Sequence, residues 1–151
     1  MLPLSFTLPP VQKEDVIEYD ELWSFVHDKR NKQWIWLAVL RRTGHTIAYH
    51  IGKRDYLAFE ELYSKVPQQF KNCKSRSDFW EAYDNMPKKL HQKCGKEEGE
   101  TSQVEAVNNV LRQRLGRLVR KTCSFSKSLT NHNKVIGLFL QERNIELLSV
   151  K

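Results

Sequence analysis

The run VIEYDELWSFV, from Val16 to Val26, decides how this chain is read. It is rich in β-branched and aromatic residues, which suits a strand, and it carries an acidic residue, Asp20, at its centre. The polar cluster His27 to Lys32 then reads as a turn. Gln33 to Leu40 (QWIWLAVL) is apolar at both alternate positions, as expected of a central strand covered on both faces. Arg42-Thr43-Gly44-His45 makes a second turn and Thr46 to Ile51 (TIAYHI) a third strand. Strands joined by such short turns form an antiparallel meander.

Downstream the period changes. Leu57 to Val66 suits a helix ending at Pro67, and Phe70 to Ser77, with only Phe70 and Cys73 apolar, reads as a further strand. Asp78 to Met86 fits a short helix stopped by Pro87, Leu90 to Cys94 another short strand, and Gly95 to Gly99 a loop. Thr101 to Lys121 has the clearest helical period, with Val104, Val107, Leu111, Leu115 and Leu118 as one buried stripe. A last helix is expected from about Asn131 to Gln141. Strands first, then alternating helix and strand, then helices, define an α/β (α+β) fold with helices on a mixed sheet. The 151 residues suit one domain, residues 16–143, between a flexible lead-in, 1–15, and a tail, 144–151.

Composition excludes several classes. Cys73, Cys94 and Cys123 are odd in number and form no C-x-x-C pair, so neither a disulfide framework nor a zinc motif is expected. A reducing, cytoplasmic setting follows. No apolar run approaches the ~20 residues of a membrane helix. The formal charge of +7 is unevenly spread. Residues 1–105 hold sixteen basic and sixteen acidic side chains, whereas residues 106–151 hold nine basic ones against Glu142 and Glu146. Such an excess implies a polyanionic partner or surface.

Three carboxylates stand out by context: Asp20 inside a strand, Asp78 at a strand-to-helix junction and Glu105 near a helix start. A carboxylate in a packed sheet is costly unless it is paired or binds a cation. Mg²⁺ suits such a site because it takes a few carboxylate oxygens and keeps its other positions for water and phosphate. Each residue also has a plainer reading. Asp20 would serve on an edge strand facing water, Asp78 as a helix cap, and Glu105 as the far half of a capping box with Ser102.

The run Glu18-Tyr19-Asp20-Glu21-Leu22-Trp23-Ser24-Phe25-Val26, the block Ser77-Asp78-Phe79-Trp80-Glu81-Ala82-Tyr83, the stretch GKEEGETSQVEAVNNVLRQRLGRLVRKTCSFSKS from Gly95 to Ser128 and the segment Val135 to Leu140 together resemble transposases of the insertion-sequence-one family. The similarity runs from about Ile17 to Arg143. It implies a ribonuclease-H-like fold: three antiparallel strands, then alternating helices and strands. It also implies a DDE active site, which falls on Asp20, Asp78 and Glu105 at intervals of 58 and 27 residues. The implied activity is DNA transposition, a form of DNA recombination: Mg²⁺-dependent cleavage at the ends of a transposable element, then joining of a 3′-hydroxyl to target DNA, with Mn²⁺ able to substitute. The implied partners are double-stranded DNA at element ends and target, further copies of the chain on that DNA, and an upstream-frame recognition protein or fusion. The location implied is cytoplasmic and nucleoid-associated.

Two positions depart from the family's pattern. Ala106 and Val107 follow Glu105 where a basic or polar residue and a large one are usual, and Lys74-Ser75-Arg76-Ser77 precede Asp78 where the family is more apolar. Asn108, Asn109, Arg112, Arg114, Arg117, Arg120, Lys121 and Lys127 are the expected DNA contacts, mostly through phosphate. Two other readings remain open at this point: an inactive or regulatory fragment that binds DNA or full-length transposase without catalysis, and a cellular nuclease of the same fold.

Overall fold

A computed structural model describes residues 3–77, 91–93, 102–115 and 126–149. Its main sheet has five strands: β1 (Val16–Leu22), β4 (Trp34–Leu40), β5 (Thr46–Gly52), β6 (Lys74–Ser77) and β7 (His91–Lys93). Their order across the sheet is β5-β4-β1-β6-β7. β1 runs antiparallel to β4 on one side and parallel to β6 on the other, and β6 and β7 are parallel. This mixed sheet with helices is the α/β architecture expected, and its strand directions are consistent with a ribonuclease-H-like fold.

Alternation along β1 separates two cores. Ile17 and Tyr19 enter one with Trp36, Ala38 and Leu40 of β4, against Ala58, Phe59 and Leu62 of α1 (Tyr56–Ser64) and Phe70 of α2 (Gln68–Lys71). Leu22 enters the other with Ile35, Leu37 and Val39, against Val104, Val107 and Leu111 of α3 (Ser102–Arg114) and Ile136 and Leu140 of α4 (Leu129–Ser149). β4 is buried on both faces, which explains its unbroken apolar run. Asp55 caps α1, its carboxylate accepting from the Ala58 N–H at 2.9 Å.

Three differences from the expected elements have physical causes. The first strand stops at Leu22. Phe25–Val26 then form β2, which pairs antiparallel with β3 (Asp28–Lys32), so the expected turn is a hairpin turning at His27 in the left-handed region (φ 68°). Hydropathy could not reveal β3, because DKRNK has no apolar residue and is a strand only by backbone pairing. The short helix α2 follows Pro67, whose fixed φ suits a helix start.

The third difference is the length of α4, which continues past Gln141 to Ser149. Asn144 inside it is fully buried. Its amide accepts from the Thr46 N–H at 2.9 Å and donates to the Thr46 carbonyl at 2.8 Å and the Thr7 hydroxyl at 3.0 Å. One side chain thus satisfies backbone groups of the edge strand β5 and ties in the 3-10 turn Leu4–Thr7. The expected helix Asp78 to Met86 lies outside the described residues. No described helix is long and apolar enough to cross a membrane.

Candidate active site at the strand and helix carboxylates

Asp20 lies on β1, which sits in the middle of the sheet, so the water-facing edge reading of this residue does not hold. Its half-buried side chain shares the α3 face of β1 with Glu18 and Leu22. Asp20 Oδ1 accepts from the Glu21 N–H at 2.9 Å, and Oδ2 accepts from the Asn108 amide Nδ2 at 2.9 Å. Asn108 is on α3 one turn after Glu105, which occupies the first turn of that helix and is half-buried. Residues three apart lie on one side of a helix, so Glu105 is presented toward the end of β1 that bears Asp20.

What fixes α3 against β1 is a residue the sequence did not single out. Glu18 has 0% exposure, yet it is charged. Its Oε1 accepts from the N–H groups of Gln103 and Val104, at 2.9 and 3.2 Å, and its Oε2 accepts from Arg41 Nε at 3.0 Å. The N–H groups of a helix's first turn have no intrahelical acceptor, and the helix dipole favours an anion there. Glu18 therefore caps α3 from another element. The apolar positions Val104, Val107 and Leu111 contribute about 2 kcal/mol each by burial, against about 1 kcal/mol for a cap. Packing thus holds the helix on the sheet, while Glu18 sets where its first turn, and so Glu105, stands. The detectable signal was a second carboxylate two residues before Asp20, on the same face of a strand expected to be buried.

Of the other expected residues, Asn108 is 6% exposed and spends its amide within this site. Asn109 is exposed one residue further, and Arg112 is half-buried on the next turn. Arg114 borders a recess between α3 and α4 with Phe139, Glu142 and Arg143. Lys127 is exposed just before α4. Asp78, Arg117, Arg120 and Lys121 lie outside the described residues. The strand β6, which ends one residue before Asp78, is the direct parallel neighbour of β1. Val107, where the family usually has a large residue, is wholly buried in the α3 core, so the departure falls on a packing position.

Among the described residues no three metal-ligating side chains cluster together. A fit for a hard cation is nonetheless visible at Asp20. Asn108 Oδ1 is buried there without a hydrogen-bond partner among the described residues, next to a carboxylate held by two neutral donors. Carboxylate and amide oxygens are the donors that a hard cation takes.

A mixed sheet with an acidic residue on its central strand, braced by a helix that carries a second one, is an architecture able to bind metal and act on phosphate. The chain belongs to the IS1 transposase family, whose domain matches residues 15–146. It is 38% identical to the insertion element iso-IS1n protein InsB of Shigella dysenteriae over 128 residues, covering 84% of this chain and 95% of that protein. It is 35% identical to the insertion element IS1 protein InsB of Shigella flexneri, covering 85% and 96%. Over 148 residues it is 34% identical to the insertion element IS1 2 protein InsB of Escherichia coli K12, covering 95% and 86%.

Proposed function

We propose that this chain is the catalytic portion of a DDE transposase, which cleaves DNA at element ends and joins the freed 3′-hydroxyl to target DNA. The observation that carries this reading is the Asp20–Asn108 bond, which couples the central strand to the helix turn after Glu105. Asp20 and Glu105, with Asp78, would hold Mg²⁺, and Mn²⁺ would substitute. Bound there, the metal would activate the attacking oxygen and stabilise the leaving one. The chain's own contribution is positional. Asn108 fixes the rotamer of Asp20, Glu18 and Arg41 fix the first turn of α3, and Leu22 with the α3 stripe keeps water from the underside of the site. The basic residues from Arg112 to Lys127 would hold the phosphate backbone, giving affinity and salt dependence without sequence choice.

Recognition of the ends would then come from an upstream-frame protein or fusion, with several copies of this chain on one DNA, in the cytoplasm at the nucleoid. The test is strand transfer by a fusion to such a recognition portion, on duplexes ending in the element's inverted repeats. Metal-dependent nicking and joining are expected, lost in Asp20→Asn and in Glu105→Gln. A fusion that binds the ends but stays inert in both Mg²⁺ and Mn²⁺ would establish the alternative, a regulatory fragment without catalysis.

A further inference from the structure

The hairpin β2–β3 leaves the main sheet at the end of β1 nearest Asp20. At about 3.3 Å per residue, the Phe25–Lys32 rung lies at most roughly 16 Å along the chain from Asp20. Its outer strand, DKRNK, is charged and exposed from Lys29 to Lys32. Arg30 is 91% exposed, with its guanidinium on Asp28 at 3.0 Å. Among the described residues no carboxylate pairs with Lys29 or Lys32.

An isolated two-stranded hairpin is marginal in water, and a non-glycine residue at positive φ costs about 1–3 kcal/mol. This one is clamped. The His27 N–H donates to the Ser126 carbonyl at 2.5 Å, and Val26 bridges to Ser126 in parallel. Beneath it, fully buried His132 of α4 joins the two segments, its Nε2 2.9 Å from the Ser24 hydroxyl and its Nδ1 2.6 Å from the Ser126 hydroxyl. The Ser24 hydroxyl also donates to the Gln33 carbonyl at the hairpin's base. Three buried polar side chains therefore hold a strand with no apolar residue of its own. The same bridge brings Lys127 beside the hairpin, although it is about a hundred residues away in sequence.

We propose that the β2–β3 hairpin is a DNA-backbone arm, with Lys29 and Lys32, beside Lys127, holding phosphates of the duplex that flanks the Asp20 site. The inference rests on the function proposed above and adds a contact surface outside the basic C-terminal stretch. The clamp matters because a backbone already held in place loses little further freedom on binding. Both faces of the strand carry cations, Lys29 on one and Arg30 and Lys32 on the other, which suits an arm lying along a duplex. Asp28 tempers Arg30, so the arm's grip is set by its two lysines.

The experiment measures binding of the whole chain to a fluorescent duplex of arbitrary sequence across a salt series. Each phosphate contact contributes about 0.9 to the slope of log affinity against log salt. The double variant Lys29→Gln, Lys32→Gln is expected to flatten that slope by about 1.8 and to weaken binding roughly tenfold per lysine near 0.1 M salt. Its thermal unfolding midpoint should be unchanged, because both side chains are exposed. Asp28→Asn, which releases Arg30, is expected to steepen the slope. Lys13→Gln with Lys74→Gln removes equal charge at the opposite end of β1, where Lys74 pairs with Val16, and is expected to change the slope little. Equal losses in the two double variants would reduce the effect to net charge and overturn the arm. A hairpin variant with unchanged affinity and slope would also overturn it, leaving the lysines as guards of an exposed edge. If the unaltered chain binds no duplex at all, the proposed function falls as well, so the two failures are told apart.

Discussion

The two faces of β1 are packed differently, one on aromatic rings and the other on aliphatic side chains, and they are put to different uses. Toward α1 and α2, Ile17 and Tyr19 meet an aromatic cluster. The rings of Tyr19 and Phe59 stand edge to face with centroids 6.1 Å apart, Trp36 lies 6.3 Å from Phe59, and Phe59 stacks on Tyr63 at 5.9 Å. Burial pushes the Tyr19 phenol far above its ordinary range, so it stays neutral. Toward α3 and α4 the core is also fully buried, but Glu18 and Asp20 interrupt it. Those two carboxylates, two residues apart, also differ. Glu18 is fully buried on two N–H groups and a guanidinium, whereas Asp20 is half-buried and accepts from the Glu21 N–H and the Asn108 amide. One face supplies stability, and the other divides its acidic residues between bracing a helix and presenting oxygen.

The comparison breaks most sharply at Asp20. Asp20→Asn keeps the shape and one accepted hydrogen bond, and a flip of the Asn108 amide can offer Oδ1 to the new NH2, so stability is expected to fall by no more than about 1–2 kcal/mol while strand transfer falls about 10³-fold or more. Chemical unfolding and a single-turnover assay, run side by side, check both halves. An active Asp20→Asn protein would end the assignment.

Asn108→Ala should separate orientation from ligation. Under the proposed function, loss of the amide that holds Asp20 is expected to cost 10- to 100-fold in metal affinity or activity, with excess metal restoring part of it. Titration with Mg²⁺ and Mn²⁺ reads this directly.

Stability tests sharpen the contrast of the faces themselves. Phe59→Ala is expected to cost about 3–5 kcal/mol with the metal response intact, because it touches only the aromatic face. Glu18→Ala is expected to cost less, about 1–3 kcal/mol, by leaving the first-turn N–H groups of α3 without their acceptor, and also to depress activity. Glu18→Gln, which can still accept from those N–H groups, should recover much of the activity. Denaturant melts paired with strand-transfer rates distinguish the two faces.

The smallest effect is a pH dependence away from the site. Burial, with Arg143 and Arg42 nearby, holds the His45 imidazole below its ordinary value of 6.5, so it is neutral in the fold. The unfolded chain then takes up a proton first as pH drops, and stability should decline below about pH 6.5. His45→Gln is expected to flatten the decline of the unfolding midpoint as pH falls below about 6.5. Asp15 acts in a lower window. Burial pushes its carboxyl up, but Arg42 and the Gln12 N–H outweigh burial and hold it below 3.8, so its contribution is lost only in stronger acid.

Much of the fold was legible because burial leaves a period. The three strands of the meander and the Val104-Val107-Leu111 stripe are written in local spacing; the structure keeps the second and third strands to within a residue, ends the first at Leu22 instead of Val26, and buries the stripe. The hairpin was not legible, because its outer strand is held by pairing and by the clamp at His132. The far end of α4 was hidden for a related reason: Asn144, a polar residue past the expected end at Gln141, is buried because it satisfies Thr46, 98 residues away. At the candidate site, Asp20 and Glu105 were marked by context and by resemblance. Glu18 looked like an ordinary strand glutamate until Gln103 was brought to it across 85 residues.

By itself, then, the sequence determined the class of fold, the carboxylates worth attention and the family they resemble, since hydrophobic spacing and local motifs are carried by neighbours in the chain. Only the tertiary structure decided that Glu18 is buried against the start of α3, that Asn108 belongs with Asp20, and that a basic hairpin stands beside Lys127. Those facts depend on which polar groups meet across the packed interior. A buried charge or amide must take whatever partner the fold brings to it, and that partner leaves no periodic trace in the sequence.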